Sequence, residues 1–443
     1  MCDTIVVPSE MSFDGTIIFA KNSDREPNEA QKIVKIPAKD HSENENLKCT
    51  YINIPQVKRT NTIVISQPFW IWGAEMGVNE FGVAIGNEAV FTKVKYKKSK
   101  SLIGMDLLRL GLERAKTSRE AISVITDLLE KYGQSGNCGF NHKLHYHNSF
   151  IIADPKDSWV LETAGKHWIA KKIKNVYSIS NCLTIHNDWD LISNDLVNYA
   201  INKGYCKSEN DFDFAKIFSD YIFTKFSGSH NRRNRTMELL RSKKQNISIK
   251  DVFLILRDHG DNGSNNWRPD EKISGANVCM HASNGPIRIS QTVSSFVSYL
   301  HSENPLNFVT ATAAPCTGIF KPVWTDVELP KMGQNPSGIY DDTSLFWQHE
   351  ILHRNVIKDY QTFHPLFAKK RDGLEEKFIN SALSNLKSSK DERKKISDQC
   401  FIDSKNAEDD WLKLIKNSKS KNRQKLLHKS AWRKFNKQAK IPL

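Results

Sequence analysis

Cys2 is the first residue of this chain able to do chemistry, and its position makes that chemistry unusual. Removal of Met1 would turn Cys2 into the N-terminus and place a thiol and a free α-amine on one residue. An α-amine titrates near pH ~8 and a thiol near ~8.5, so at neutral pH the amine can take the thiol's proton. Nucleophile and general base then belong to the same residue, the cysteine counterpart of a threonine activated by its own N-terminal amine.

Lys21-Asn22-Ser23-Asp24-Arg25 is the next group of interest. The apolar runs 3–7 and 16–20 flank the turn signal Phe13-Asp14-Gly15 and read as a hairpin led by Cys2. If the arms pair, Lys21 and Asp24 return beside Cys2. There a cation would favour the thiolate and a carboxylate would hold the ammonium. A surface turn is the competing reading, since Asn, Ser and Asp are loop formers.

Gly82-Val83-Ala84-Ile85-Gly86-Asn87 and Ser178-Ile179-Ser180-Asn181 are strand-like runs that both end in asparagine. An amide side chain or a backbone N–H at a strand end can donate to a developing oxyanion, or the asparagine can simply terminate the strand. Arg232, Arg233 and Arg235 could grip a substrate carboxylate through a guanidinium fork, or form a solvated charge cluster at a helix start. Cys138, His142, His145 and His147 are metal-ligating types, but their spacing fits no standard finger and a closing pair is absent. Asp258–Gly263 has the composition of a calcium loop without a glutamate at the twelfth position, and reads as a polar loop. No metal and no cofactor is assigned.

The elements around these residues come in blocks. Strand-like runs at 61–66 and 83–86 precede two amphipathic helices within 104–131, the second capped by Thr117 or Ser118. Strands are expected again at 149–153, 159–163 and 176–180, and helices at 212–226 and 236–258. Extended runs fill 277–324, with one helix near 292–300. Blocks of this kind predict an α+β fold rather than alternating βαβ units.

The length of 443 residues allows one large or two ordinary domains. We place a boundary near 365, giving a domain at 1–365 and a Lys-rich, helical extension at 366–443. No run approaches the ~20 apolar residues of a membrane span. The N-terminus lacks the pattern of a secretory signal, and the eight scattered cysteines include no CxxC pair. A cytoplasmic protein with free thiols is the expectation. Eleven Lys or Arg and no acid lie between Trp411 and Leu443, so most of the net charge of +14 sits in the tail. Such a helix can meet nucleic acid, an acidic partner or an anionic surface, but a solvated charged face explains it equally well and nucleic acid is not the expected partner.

Cys2–Val6, Phe19–Gln31, Gly77–Glu88, Met105–Ala115, Asn148–Asp154, Phe308–Trp324 and Trp347–Arg354 together, in this order, resemble the secernin/dipeptidase family of cysteine N-terminal-nucleophile (Ntn) hydrolases. The resemblance runs to about residue 360. It implies a four-layer α-β-β-α sandwich of two packed, mainly antiparallel sheets, with the nucleophile opening a central strand. It also implies Cys2 as nucleophile and its amine as base, Asp24 as the carboxylate near that amine, and Asn87 and Asn181 as oxyanion donors. Lys21 stands where related amidases carry Arg, and the substrate-side arginine falls among 232, 233 and 235. The implied activity is hydrolysis of a small peptide or amide, most simply as a dipeptidase. N-acyl amide hydrolysis and a catalytically silent binding role are the alternatives. The oligomeric state is left open.

Overall fold

The computed structural model describes all residues except 97–98, 261–266, 272–274 and 285–287. Residues 261–263 of the polar loop, and 285–287 of the extended runs after 277, therefore lie outside the described residues. The hairpin expected at the N-terminus forms: β1 (Cys2–Val7) and β2 (Ile18–Arg25) pair antiparallel, with Cys2 opposite Ser23 and Thr4 opposite Lys21. β2 continues through Arg25, so Lys21–Arg25 is buried strand and not a surface turn.

Two large antiparallel sheets organise the rest. Before the helices come β3 (Gln31–Ile36), β4 (Ile63–Pro68), β5 (Met76–Asn79) and β6 (Ala84–Val90). After them come β7 (His147–Ala153), β8 (Ser158–Ala164), β9 (His167–Lys172), β10 (Tyr177–Ile179) and β11 (Leu191–Ile192). The last three strands are β12 (Gln291–Tyr299), β13 (Leu306–Val309) and β14 (Lys321–Trp324). One sheet has the order β10-β1-β2-β12-β13-β14, the other β11-β9-β8-β7-β6-β5-β4-β3. Val6, Phe19, Val64, Ala84, Ile151 and Phe296 fill the space between the sheets.

The outer faces carry the helices. α1 (Gly104–Arg114) and α2 (Ser118–Tyr132) cover the eight-stranded sheet through Leu108, Ile122 and Ile125, against Ile65, Ile85 and Phe150. The Thr117 hydroxyl accepts the Glu120 N–H and caps α2 as expected. α3 (Ser229–Ser242) and α4 (Ile249–Leu256) cover the six-stranded sheet through Leu240 and Phe253, against Ile5, Ala20 and Val297. These are four layers, α-β-β-α, as the resemblance implies.

One expected element is corrected. Residues 292–300 are not a helix but most of β12, buried at all nine positions between β2 and β13. Valine and two aromatics suit a central strand, and pairing on both sides overrides the local three-residue spacing. Downstream, α5 (Leu345–Val356), α6 (Ala368–Ser384), α7 (Lys390–Lys416) and α8 (Leu426–Ala439) complete the chain. Trp411, Ile415 and Trp432 of the last two are buried. Among the described residues, no helix is long and apolar enough to cross a membrane.

Candidate active site

Strand parity decides what meets Cys2. Cys2, Thr4 and Val6 point between the sheets, whereas Asp3, Ile5 and Val7 point to the helix layer. On β2 the same rule sends Phe19, Lys21 and Ser23 inward. The thiol donates toward Glu75 Oε2 at 3.7 Å and accepts the Asp24 N–H at 3.3 Å. Lys21 Nζ lies 3.5 Å from Glu75 and 3.9 Å from Glu88, all three buried. Ser23 Oγ donates to Glu75 at 3.3 Å. Gly86 lets the sheets close here: a Cβ on it would stand 2.8 Å from Lys21 Cδ and from Phe19 Cζ.

Charge in this buried group sets the protonation states. Burial pushes the Cys2 thiol up to about 12, with Lys21 pulling it down and Glu88 and Glu75 opposing. Burial raises Glu88 to about 8 despite Lys21. Burial acts upward on Glu75 too, but there the charges of Arg25 and Lys21 outweigh it and hold the carboxyl below its ordinary range. Lys21 is raised: burial disfavours its charge, but Cys2, Glu88 and Glu75 more than compensate. Lys21 is thus the fixed cation beside the thiol.

The Cys2 main chain is held from the helix side. Its N–H donates to Asn181 Oδ1 at 3.1 Å, and its carbonyl accepts from Arg232 Nη1 at 2.9 Å. Arg232 also binds Asp3 Oδ2 at 2.5 Å and Asn181 Oδ1 at 2.6 Å, while Ser180 Oγ donates to Asp3. Asn181 Nδ2 donates to the Ala89 carbonyl at 2.9 Å. Asp24 turns its carboxylate to the same side, where Oδ1 accepts from Thr292 Oγ1 at 2.6 Å and Oδ2 has no partner among the described residues. Burial raises Asp24 to about 7, with the chain's terminal ammonium opposing. In this structure that ammonium belongs to Met1 and donates to the Asp24 carbonyl at 2.9 Å.

Cys2, Lys21, Asp24, Asn181 and Arg232 therefore come together. The Asn87 side chain does not join them, although its main-chain N–H donates to the Glu75 carbonyl at 3.4 Å. Its neighbour Glu88 faces inward to Thr4, at 2.5 Å, so Asn87 faces α1 and donates to Asn148 Oδ1 at 3.1 Å. Arg233 donates to the Ser178 carbonyl and stands over Tyr177. Arg235 pairs with Asp258 at 3.1 Å and with Glu238 at 3.4 Å. Asp3 and Glu88 lie inside apolar strand runs, where an acid signals burial and pairing, whereas Glu75 sits in the turn before β5 and carries no such signal. The Cys138–His147 segment does not converge: Cys138 Sγ contacts the Gly136 carbonyl, His142 binds Glu26, and His147 binds Thr92.

Beside Arg232 opens a cavity of about 400 Å³, lined by Arg235, Arg268 and Arg288 as well as Asp258 and Glu271. A buried thiol next to a fixed cation, with its residue's nitrogen on a side-chain amide, is a combination that acyl-transfer chemistry can use. Peptidase family C69 matches residues 1–372, and the chain belongs to that family. It is a hydrolase acting on peptides.

Among relatives, "Probable dipeptidase B" of Lactococcus lactis subsp. lactis (strain IL1403) is 23% identical over 395 residues, covering 78% of this chain and 79% of that one. A "Dipeptidase" of Bifidobacterium longum (strain NCC 2705) is 30% identical over 197 residues, 39% of this chain and 35% of the relative. Two solved structures are similar over most of their length. A conjugated bile acid hydrolase from Clostridium perfringens has a TM-score of 0.43 at 15% identity, over 73% of this chain and 92% of that one. Penicillin V acylase from Agrobacterium tumefaciens has a TM-score of 0.41 at 15% identity, over 74% and 87%. The fold assignment rests on sheet order and layering rather than on these scores.

Proposed function

We propose that this chain is a cysteine dipeptidase whose nucleophile is Cys2, exposed as the N-terminus by removal of Met1. The observation that carries the reading is the seat of that residue: its sulfur lies beside the Lys21–Glu75–Glu88 cluster and its nitrogen against Asn181. With Met1 attached, that nitrogen is an amide without basicity, and the thiol stays protonated. Freed, it becomes an amine able to take the thiol's proton, while Lys21 stabilises the thiolate.

The thiolate attacks the peptide carbonyl, forming a C–S bond and an oxyanion. Asn181 Nδ2 has one proton committed to Ala89 and a second to offer that oxyanion. Collapse breaks the C–N bond, and the Cys2 ammonium protonates the departing amine. Water then attacks the thioester and returns the thiol. Asp24 holds the ammonium between these transfers. Asn87 adjoins the site through its main chain, whose N–H donates to the Glu75 carbonyl at 3.4 Å. The choice of a dipeptide over a neutral amide is supported by the family and the dipeptidase relatives rather than by the cavity, where Arg232, Arg235 and Arg268 are already paired with Asp3, Asp258 and Asp270.

The test is a dipeptide library, run beside N-acyl amides, on protein whose N-terminus is verified by intact mass. Dipeptide turnover by the Met1-free chain, lost in Cys2→Ala by about 10³-fold or more, is the expected result. Turnover of N-acyl amides alone would overturn the substrate class. No turnover of either, with Cys2 labelling no faster than the other thiols, would leave a binding protein.

A further inference from the structure

We propose that His259, Cys279, His281 and Cys316 form a structural zinc site, distinct from the thiol chemistry of Cys2. All four side chains are buried, and their ligand atoms lie within 4.8 Å of one another. The distances between them are diagnostic. Zn–N bonds of about 2.0–2.1 Å and Zn–S bonds of about 2.3 Å in a tetrahedron require N···N edges of about 3.3 Å and N···S edges of about 3.5 Å. His259 Nε2 and His281 Nε2 are 3.2 Å apart, and His281 Nε2 lies 3.5 Å from Cys279 Sγ and 3.3 Å from Cys316 Sγ.

Hydrogen bonding alone does not account for this arrangement. A neutral imidazole nitrogen offers one proton or one lone pair, in the ring plane, yet three polar atoms converge on His281 Nε2. A shared cation satisfies all four groups at once. Two thiolates neutralise a divalent ion, so the finished centre carries no net charge into the core. Soft sulfur and imidazole donors select zinc over the oxygen-seeking magnesium and calcium. Four protein ligands leave no open position, which makes the site structural rather than catalytic.

Outer contacts already orient the ligands. Trp267 stacks on His259 with centroids 3.7 Å apart and planes 4° from parallel. The Cys316 carbonyl accepts from His364 and Arg371, and the Cys279 N–H donates to the Asp258 carbonyl. The site ties together the end of α4, the 279–281 segment and the loop before β14, which are distant in sequence. Between the two ligands on the middle segment, Met280 N–H donates to Thr292 Oγ1 at 3.0 Å, and Thr292 Oγ1 donates to Asp24. The zinc thereby holds in place the hydroxyl that positions Asp24.

Metal analysis of the purified full-length chain tests this. About one zinc per chain is expected, falling to under a tenth in Cys316→Ser and His281→Ala and staying near one in Cys2→Ala and Cys206→Ser. Because the ligand variants can fail to fold, the wild-type chain is also stripped and reloaded with Co²⁺. The visible bands of a tetrahedral ion and a thiolate-to-cobalt transition are expected. In the zinc-loaded chain Cys279 and Cys316 should resist alkylation, and a chelator should remove that protection. Less than a tenth of an equivalent of zinc after reloading, or bound metal that leaves alkylation of these two cysteines unchanged, would overturn the proposal.

Discussion

The Asp24 N–H donates to the Cys2 thiol at 3.3 Å, so the end of one hairpin arm seats the sulfur that begins the other. Six residue pairs, from Cys2–Ser23 to Val7–Ile18, set this contact in register. A slip of one residue would turn Lys21 to the helix face and bring Asn22 inward. The group proposed to carry the chemistry is thus assembled by the N-terminal hairpin itself, with Glu88 supplied by the facing sheet and Glu75 by the turn into β5.

Lys21 is the charge that most favours the thiolate of Cys2, and its removal separates thiolate stabilisation from nucleophile identity. Lys21→Met should lower kcat/KM by about 10²-fold or more and move the rise of the pH–rate profile upward. Lys21→Arg keeps the charge and should retain more activity. Equal profiles for Lys21→Met and the wild-type chain would show that the cation does not act on Cys2.

Arg232 and Arg235 should separate cleanly. Arg232 is fully enclosed by Asp3, Asn181 and the Cys2 carbonyl, so Arg232→Met leaves the Asp3 carboxylate buried without its cation. A loss of about 3–5 kcal/mol in urea unfolding is expected. Arg235 lines the cavity and its partners are partly exposed, so Arg235→Gln should change stability by less than about 1 kcal/mol. If the cavity holds the substrate carboxylate, the same change raises KM with little effect on kcat.

Glu88 gives a stability signature with a defined sign. Its carboxyl is raised from 4.5 to about 8, chiefly by burial, among Lys21, Asp3, Thr4 and Arg232. Below pH 4.5 it is protonated in both the folded and the unfolded chain, and its contribution is fully present. Between 4.5 and about 8 only the unfolded chain ionises, so stability falls as pH rises and the contribution is lost above 8. Glu88→Gln should flatten this part of the profile, an effect on the order of a few kcal/mol between pH 5 and pH 8 by thermal or urea unfolding. An unchanged slope would assign the ionisation elsewhere.

Much of this site can be read from local pattern, and the remainder depends on facts that are not local. β-Branched runs around a turn signal suffice for the hairpin and bring Lys21 and Asp24 to Cys2. The 3.6-residue spacing of 104–131 suffices for α1 and α2. The Asn87 side chain is placed by parity: it and Glu88 are adjacent, and only the packing of β6 between two layers decides which points to Lys21. Residues 292–300 mislead because a strand buried on both faces carries no alternation to betray it. His259, Cys279, His281 and Cys316 span almost sixty residues and obey no compact spacing, so only the fold brings them into one group.

The C-terminal helix offers a final check, on whether its basic sequence serves a partner or the core. Trp432 of α8 is buried against Ala282 and Ile357, and its indole N–H donates to the Ala282 carbonyl at 3.2 Å. His428 shares a hydrogen bond with Ser283 Oγ at 2.9 Å, and Asn28 donates to the Phe435 carbonyl at 2.9 Å. Arg354 reaches both Asn28 and Asn436, joining the segment after β2 to this helix. These contacts make α8 part of the support beneath the site, while its lysines face outward. Trp432→Ala removes a large buried side chain and should cost about 3–5 kcal/mol in urea unfolding. Replacing the exposed Lys429, Lys434 and Lys437 by Gln should leave stability within about 0.5 kcal/mol of wild type. If the lysine variant unfolds as early as Trp432→Ala, the helix is held by charge rather than by its apolar face.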